Sequence, residues 1–145
     1  MSFSIDANVL LYASDTSSPF HTAARRFLEE KTAAPEIIYL PWPVALAYLR
    51  IATHPRLFDS PLAPDEALGN LRSLVSLPIV RTLGEKEGFL EAYAKVTSGV
   101  PARGNLVPDA HLATILFQHG VPTIYTNDSD FRKFAFLQVR NPFAG

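Results

Sequence analysis

The sequence predicts an α/β domain, a central, mainly parallel five-stranded sheet in a three-layer α/β/α sandwich, and three observations predict it. Short apolar runs alternate with longer stretches of helical period along the chain. The 145 residues suit one domain, 1–145, with a core of its own. A hydrophobic fraction of 48% beside a charged fraction of 19% is that of a globular chain, not a disordered one.

Phe3 to Ile5 is a short opening strand, and Val9 to Tyr12 follow it as a helical turn. Ser18-Pro19 reads as an N-cap with proline at the first helical position. Phe20, Ala23, Ala24, Phe27 and Leu28 then trace one face of an amphipathic helix. Ile37 to Leu40 is a second strand, and Trp42 to Thr53 a largely apolar helix ending before His54-Pro55. Pro64, Asp65 and Glu66 open a further helix with acids in its first turn, where the macrodipole favours them, and Pro78 stops it. Ile79 to Thr82 is the third strand and Glu85 to Ser98 the next helix. After a loop to Leu106, Pro108 to His119 is a helix closed by Gly120. Val121 to Tyr125, a helical turn over Ser129 to Phe134, and Leu137 to Arg140 complete the chain.

Composition excludes several classes. There is no cysteine, hence no disulfide scaffold, zinc–thiolate site or thiol nucleophile. The longest apolar run, Ile37 to Leu49, is broken by Pro41 and Pro43 and falls short of the roughly 18 residues a membrane span needs. The N-terminus carries Asp6 and no early positive charge, unlike a secretory signal. A soluble, cytoplasmic protein is expected. The net charge of −1 neither requires nor forbids a nucleic-acid partner, since an acidic metal site can mask a basic rim.

In an open α/β sheet, ligands bind beyond the carboxyl ends of the strands. Asp6 and Asn8 follow the first strand; Thr126, Asn127, Asp128 and Asp130 follow the fourth; Asp109 opens the helix leading into the fourth. Each has an ordinary structural explanation. Asp6 would cap a helix, Asp109 would complement a helix dipole, and Thr126-Asn127-Asp128 would make a turn. What marks them is that all fall at one edge. Four carboxylates meeting there cannot all stay ionised without a counter-charge, and Mg²⁺ or Mn²⁺ is the simplest. Such a site activates water against a phosphodiester and needs no protein nucleophile.

The same residues resemble the PIN-domain family, specifically the VapC toxins of bacterial toxin–antitoxin pairs. The opening segment from Ile5 to Tyr12 is similar to their first acidic motif, and Asn105 to Ala113 to the segment carrying a later acid. Thr126-Asn127-Asp128-Ser129-Asp130-Phe131 is similar to their T-x-D-x-D-F ending, and Leu49 to Phe58 to an element of one subgroup. The resemblance runs from about Ile5 to Pro142. It implies a PIN-like sandwich and a Mg²⁺- or Mn²⁺-dependent endoribonuclease that cuts tRNA or rRNA and so inhibits translation. Asp6, Asp109 and Asp128 would hold the ion, with Asp130 beside them and Asn8 and Thr126 orienting the carboxylates. A VapB-type antitoxin and a homodimer are implied as partners. One departure stands out: the family's usual glutamate, three residues before Arg50, is Ala47 here. This raises the alternative of a degenerate, partner-binding PIN domain.

Arg50, His54, Arg56 and Arg103 are candidate contacts to RNA phosphates. His21 and His111 lack zinc-ligand spacing. A phosphatase using Asp6 as nucleophile would want a second acid two residues on, where Asn8 stands.

Overall fold

The computed structural model describes residues 2–143. Five strands form one sheet: β1 (Ser2–Ile5), β2 (Ile37–Pro41), β3 (Val80–Leu83), β4 (Thr123–Tyr125) and β5 (Gln138–Arg140). Their order is β3-β2-β1-β4-β5, and every pairing is parallel, where the sequence suggests a mainly parallel sheet. Phe3 lies opposite Ile38 on one side, and Ile5 opposite Tyr125 on the other.

Six helices make the connections: α1 (Ala7–Ser14), α2 (His21–Ala33), α3 (Trp42–Ala52), α4 (Pro64–Val75), α5 (Phe89–Val96) and α6 (Leu106–Gln118). The chain walks outward from β1 to β3, then returns past β1 to place β4 and β5 on its far side. Right-handed crossovers that reverse direction put their helices on opposite faces. Accordingly α1, α2, α3 and α4 pack among themselves, and α5 packs on α6. The sandwich has three layers for that reason. Ile5, Ile38, Leu40 and Ile124 of the inner strands are fully buried between them, with Val9, Tyr48, Ile115 and Leu116 from the helices.

Four helix starts differ from the sequence reading, the first being α1, which begins at Ala7, two residues before Val9. Helix α2 begins at His21, because Ser18 makes a turn instead of a cap: its Oγ accepts from Phe20 N at 3.0 Å. Helix α5 begins at Phe89, four residues late, because Gly88 adopts a left-handed conformation (φ 76°). Helix α6 begins at Leu106, two residues early. Pro108 is tolerated in its first turn, where a backbone N–H would lack a helical partner in any case.

The reversal of strand order creates a crevice outside the carboxyl ends of β1 and β4. That is the topological switch point, where doubly wound sheets bind ligands. Backbone bonds tie its rim together: Asp6 N donates to Tyr125 O at 3.0 Å, and Thr126 N to Arg140 O at 2.9 Å.

Candidate metal centre

Asp6 leaves the end of β1 with extended backbone and caps α1, its Oδ1 accepting from Ala7 N at 2.8 Å. Its other oxygen accepts from Thr126 Oγ1 at 2.8 Å and, more loosely, from Asn8 Nδ2 at 3.4 Å. The ordinary reading of Asp6 as a cap and the functional one are therefore both true of one side chain. Thr126 is buried and is the hub: its Oγ1 also accepts from Asn8 Nδ2 and from Asp128 N, both at 3.0 Å. Asn8 reaches further, with Asn127 N donating to its Oδ1 at 3.4 Å. A threonine and an asparagine, far apart in sequence, thus fix the end of β1 to the end of β4.

Asp128 caps a short 3-10 helix over Ser129–Lys133, accepting from Asp130 N at 2.9 Å. That tight turn brings Asp130 back beside Asp128. Asp109 approaches from the first turn of α6. One carboxylate oxygen from each of Asp109, Asp128 and Asp130 lies within 4.8 Å of the other two. The trio expected from the sequence is arranged differently: Asp130 joins Asp109 and Asp128 in the tight group, and Asp6 stands beside it.

The electrostatics register the crowding. Asp109 is pushed up from an ordinary 3.8 to about 7, first by burial and then by the charges of Asp128, Asp6 and Asp130. Among the described residues, the Lys133 ammonium acts on it in the other direction. Asp6 is also raised, mainly by burial and slightly by Asp128, although its bonds from Thr126 and Ala7 oppose this. Burial and neighbouring like charge both disfavour the ionised form of a carboxylate, and a nearby cation favours it.

The donor set fits a hard cation. All the donors are carboxylate oxygens, and oxygens on opposite sides of an octahedral ion with 2.0–2.1 Å contacts lie about 4.2 Å apart. No acid at position 47 is needed to assemble the group; Ala47 packs half-buried on the core.

Arg50, at the end of α3, and Arg103, in the loop before α6, are exposed, and neither contributes to the field at Asp109. The cation that does is Lys133, 3.4 Å from Asp130 Oδ1. Its signal in the sequence is the spacing Asp130 to Lys133, since residues three apart eclipse one another in a 3-10 helix. His111 is engaged elsewhere, with Nε2 2.9 Å from Glu85 Oε1. His21 Nδ1 lies 2.9 Å from the carbonyl oxygen of Tyr12.

A parallel sheet with helices on both faces, and carboxylates gathered at its switch point, defines a class: α/β domains with an acidic cluster suited to a metal ion at the sheet's carboxyl edge. The PIN-domain family model matches residues 4–137. Ribonuclease VapC48 of Mycobacterium tuberculosis is 48% identical over 145 residues, covering 100% of both chains. Among solved structures, VapBC2 from Rickettsia felis bound to a promoter DNA fragment superposes with a TM-score of 0.70 at 15% identity, covering 97% of this chain and 98% of that one. Mycobacterium tuberculosis VapC20, described as a sarcin–ricin loop cleaving toxin, gives 0.68 at 16% identity, covering 95% and 98%. The structures establish the fold, and the sequence match establishes the family. This chain belongs to the PIN-domain family, in its VapC ribonuclease branch.

Proposed function

We propose that the chain is the toxin of a toxin–antitoxin pair, a Mg²⁺- or Mn²⁺-dependent endoribonuclease that hydrolyses tRNA or rRNA and thereby inhibits translation. The observation that carries the metal dependence is the approach of Asp109, Asp128 and Asp130 oxygens to within 4.8 Å of one another. The degenerate reading is not favoured, because the carboxylates converge without a glutamate in place of Ala47.

Asp109, Asp128 and Asp130 supply the donor oxygens, and Asp6 completes the acidic rim. When bound, the ion polarises a phosphoryl oxygen and lowers the pKa of a bound water. Asp109 would serve as a ligand in its ionised form, which a bound cation would favour. Thr126 Oγ1 donates to Asp6 and accepts from Asp128 N, holding two acids in register. Asn8 braces that hydroxyl from α1. Arg50 and Arg103, both exposed, are the candidate contacts to RNA phosphates away from the cut.

The VapBC complexes among the structural neighbours support a VapB-type antitoxin as partner, and the family resemblance adds a second copy of the chain in a homodimer. No described helix is long and apolar enough to cross a membrane. The RNA substrates are cytoplasmic, and the toxin acts there.

The test is cleavage of total RNA with Mg²⁺, Mn²⁺ or EDTA, comparing the protein with its Asp6→Asn and Ala47→Glu variants. Metal-dependent cleavage abolished by Asp6→Asn is the expected result. Cleavage seen only with Ala47→Glu would overturn the reading.

A further inference from the structure

A pocket of about 250 Å³ lies between the end of α5, the end of α6 and the segment joining the 3-10 helix to β5. Two lysines, Lys95 and Lys133, and two phenylalanines, Phe117 and Phe136, line it. Lys133 is also the residue that touches Asp130, so the pocket shares a wall with the acidic cluster.

Phe117 is out of character for its surroundings. Every residue from Leu112 to Leu116 on α6 is buried, yet Phe117 keeps 39% of its surface exposed. Its ring meets Phe136 edge to face, with centroids 5.3 Å apart and planes at 76°. Edge-to-face contact leaves a ring face free for a third aromatic group. Exposed aromatic faces beside flexible cations are the chemistry that holds single-stranded nucleic acid: ammonium groups follow the phosphates and bases stack on rings.

The charge distribution favours such a place. Asp109, Asp128 and Asp130 repel an incoming polyanion, and the chain carries a net charge of −1. Cations beside the acids offset that repulsion for the strand nearest the cut. Asp109 and Phe117 lie eight residues apart on one helix, about 12 Å at 1.5 Å per residue. A strand cut at the acids has its flanking nucleotides, not the cut bond, at the pocket.

We propose that this pocket is a nucleotide subsite for the RNA strand flanking the scissile bond, with Lys95 and Lys133 on its phosphate and Phe117 and Phe136 against its base. The proposal rests on the ribonuclease reading and names where that enzyme grips its substrate.

The test is binding of a fluorescent single-stranded RNA oligonucleotide to the Asp109→Asn protein in Mg²⁺, followed by cleavage kinetics in the Asp109 protein. Phe117→Ala is expected to weaken binding roughly 5- to 100-fold, the usual worth of one stacked base. Lys95→Ala is expected to lower the slope of log affinity against log salt by about 0.7, the value for one phosphate on a single strand. In kinetics both raise KM and spare kcat. Arg25→Ala, a cation removed from α2, leaves both unchanged. An oligonucleotide carrying an abasic site at the contacted position loses as much affinity as Phe117→Ala, and the two losses do not add. Should Phe117→Ala prove unstable, Lys95→Glu tests the same pocket from its exposed side.

Wild-type affinity, salt slope and KM in both Lys95→Ala and Phe117→Ala would overturn the subsite. Failure of the ribonuclease reading looks different: the unaltered protein then cleaves no RNA with either metal, whatever these variants do to binding.

Discussion

Asp6 and Asp109 are two acids at one sheet edge, both raised first by burial, yet the protein gives them opposite hydrogen-bond surroundings. Asp6 receives a backbone N–H, a buried hydroxyl and a side-chain amide. Asp109 sits among three other carboxylates, with a lysine as its only relief. The first is a satisfied group that holds the scaffold together. The second is a group left in want of a cation. A metal site needs both kinds: acids fixed by the fold so that geometry is set in advance, and acids left unsatisfied so that binding has a driving force.

Activity should not separate the two, and stability should. Asp6→Asn and Asp109→Asn are each expected to reduce metal-dependent cleavage by at least about a hundredfold, since losing a metal carboxylate forfeits several kcal/mol of transition-state stabilisation. Without metal, thermal unfolding should move in opposite directions. Asp6→Ala removes a helix cap and lowers stability by about 1 kcal/mol. Asp109→Asn removes a repelled charge and raises the melting temperature above that of the parent chain. A fall in both would mean that Asp109 makes a structural contact that outweighs the repulsion.

Thr126→Val sharpens the comparison by stripping the satisfied side alone. The substitution keeps the shape and removes the hydroxyl serving Asp6, Asn8 and Asp128 N. Loss of such a supporting bond typically costs 10- to 100-fold in metal affinity or activity, to be read by Mn²⁺ titration. Buried partners left unsatisfied should lower stability by about 1–3 kcal/mol. An unchanged Mn²⁺ midpoint would show that the acids are held by backbone alone.

Much of this was legible before the coordinates. All five strands announce themselves as short apolar runs, and the acids at the ends of β1 and β4 could be placed at one rim from that alone. The strand order could not, since nothing local in β4 says that it returns to the far side of β1. Helix starts slipped where one residue had two uses: Ser18 turned instead of capping, Gly88 broke a run that looked helical, and Pro108 sat inside a first turn instead of opening it. The tight grouping of Asp130 and the reach of Lys133 depend on a 3-10 turn, which periodicity does not distinguish from a short α-helical one.

Proton linkage offers a subtler separation. Asp109 titrates near 7 in the folded protein and near 3.8 as an ordinary carboxyl, so the folded state binds more protons between those values. Its contribution is fully present below about pH 4 and is lost as pH rises through 7. The difference in metal-free stability between the parent and Asp109→Asn should therefore widen from pH 5 to pH 8 in favour of the variant. Mn²⁺ affinity should rise over the same interval and level off above it, because the cation displaces that proton. A difference that stays flat with pH would place Asp109 among ordinary surface carboxyls.

The smallest effect belongs to Lys133. Its ammonium is the one charge that lowers Asp109, and it is tethered to Asp130 across a partly exposed 3.4 Å pair. As an ion pair it is worth little, about 0–1 kcal/mol, so Lys133→Met should scarcely change the melting temperature. Its loss removes the only opposing charge, however, so the proton on Asp109 should be held to still higher pH. The Mn²⁺ affinity profile should then shift to higher pH while keeping its shape, and Lys133→Arg should restore it. A profile that stays in place would mean that solvent, not Lys133, screens the acids, and that the satisfied and unsatisfied halves of the rim are less distinct than their hydrogen bonds imply.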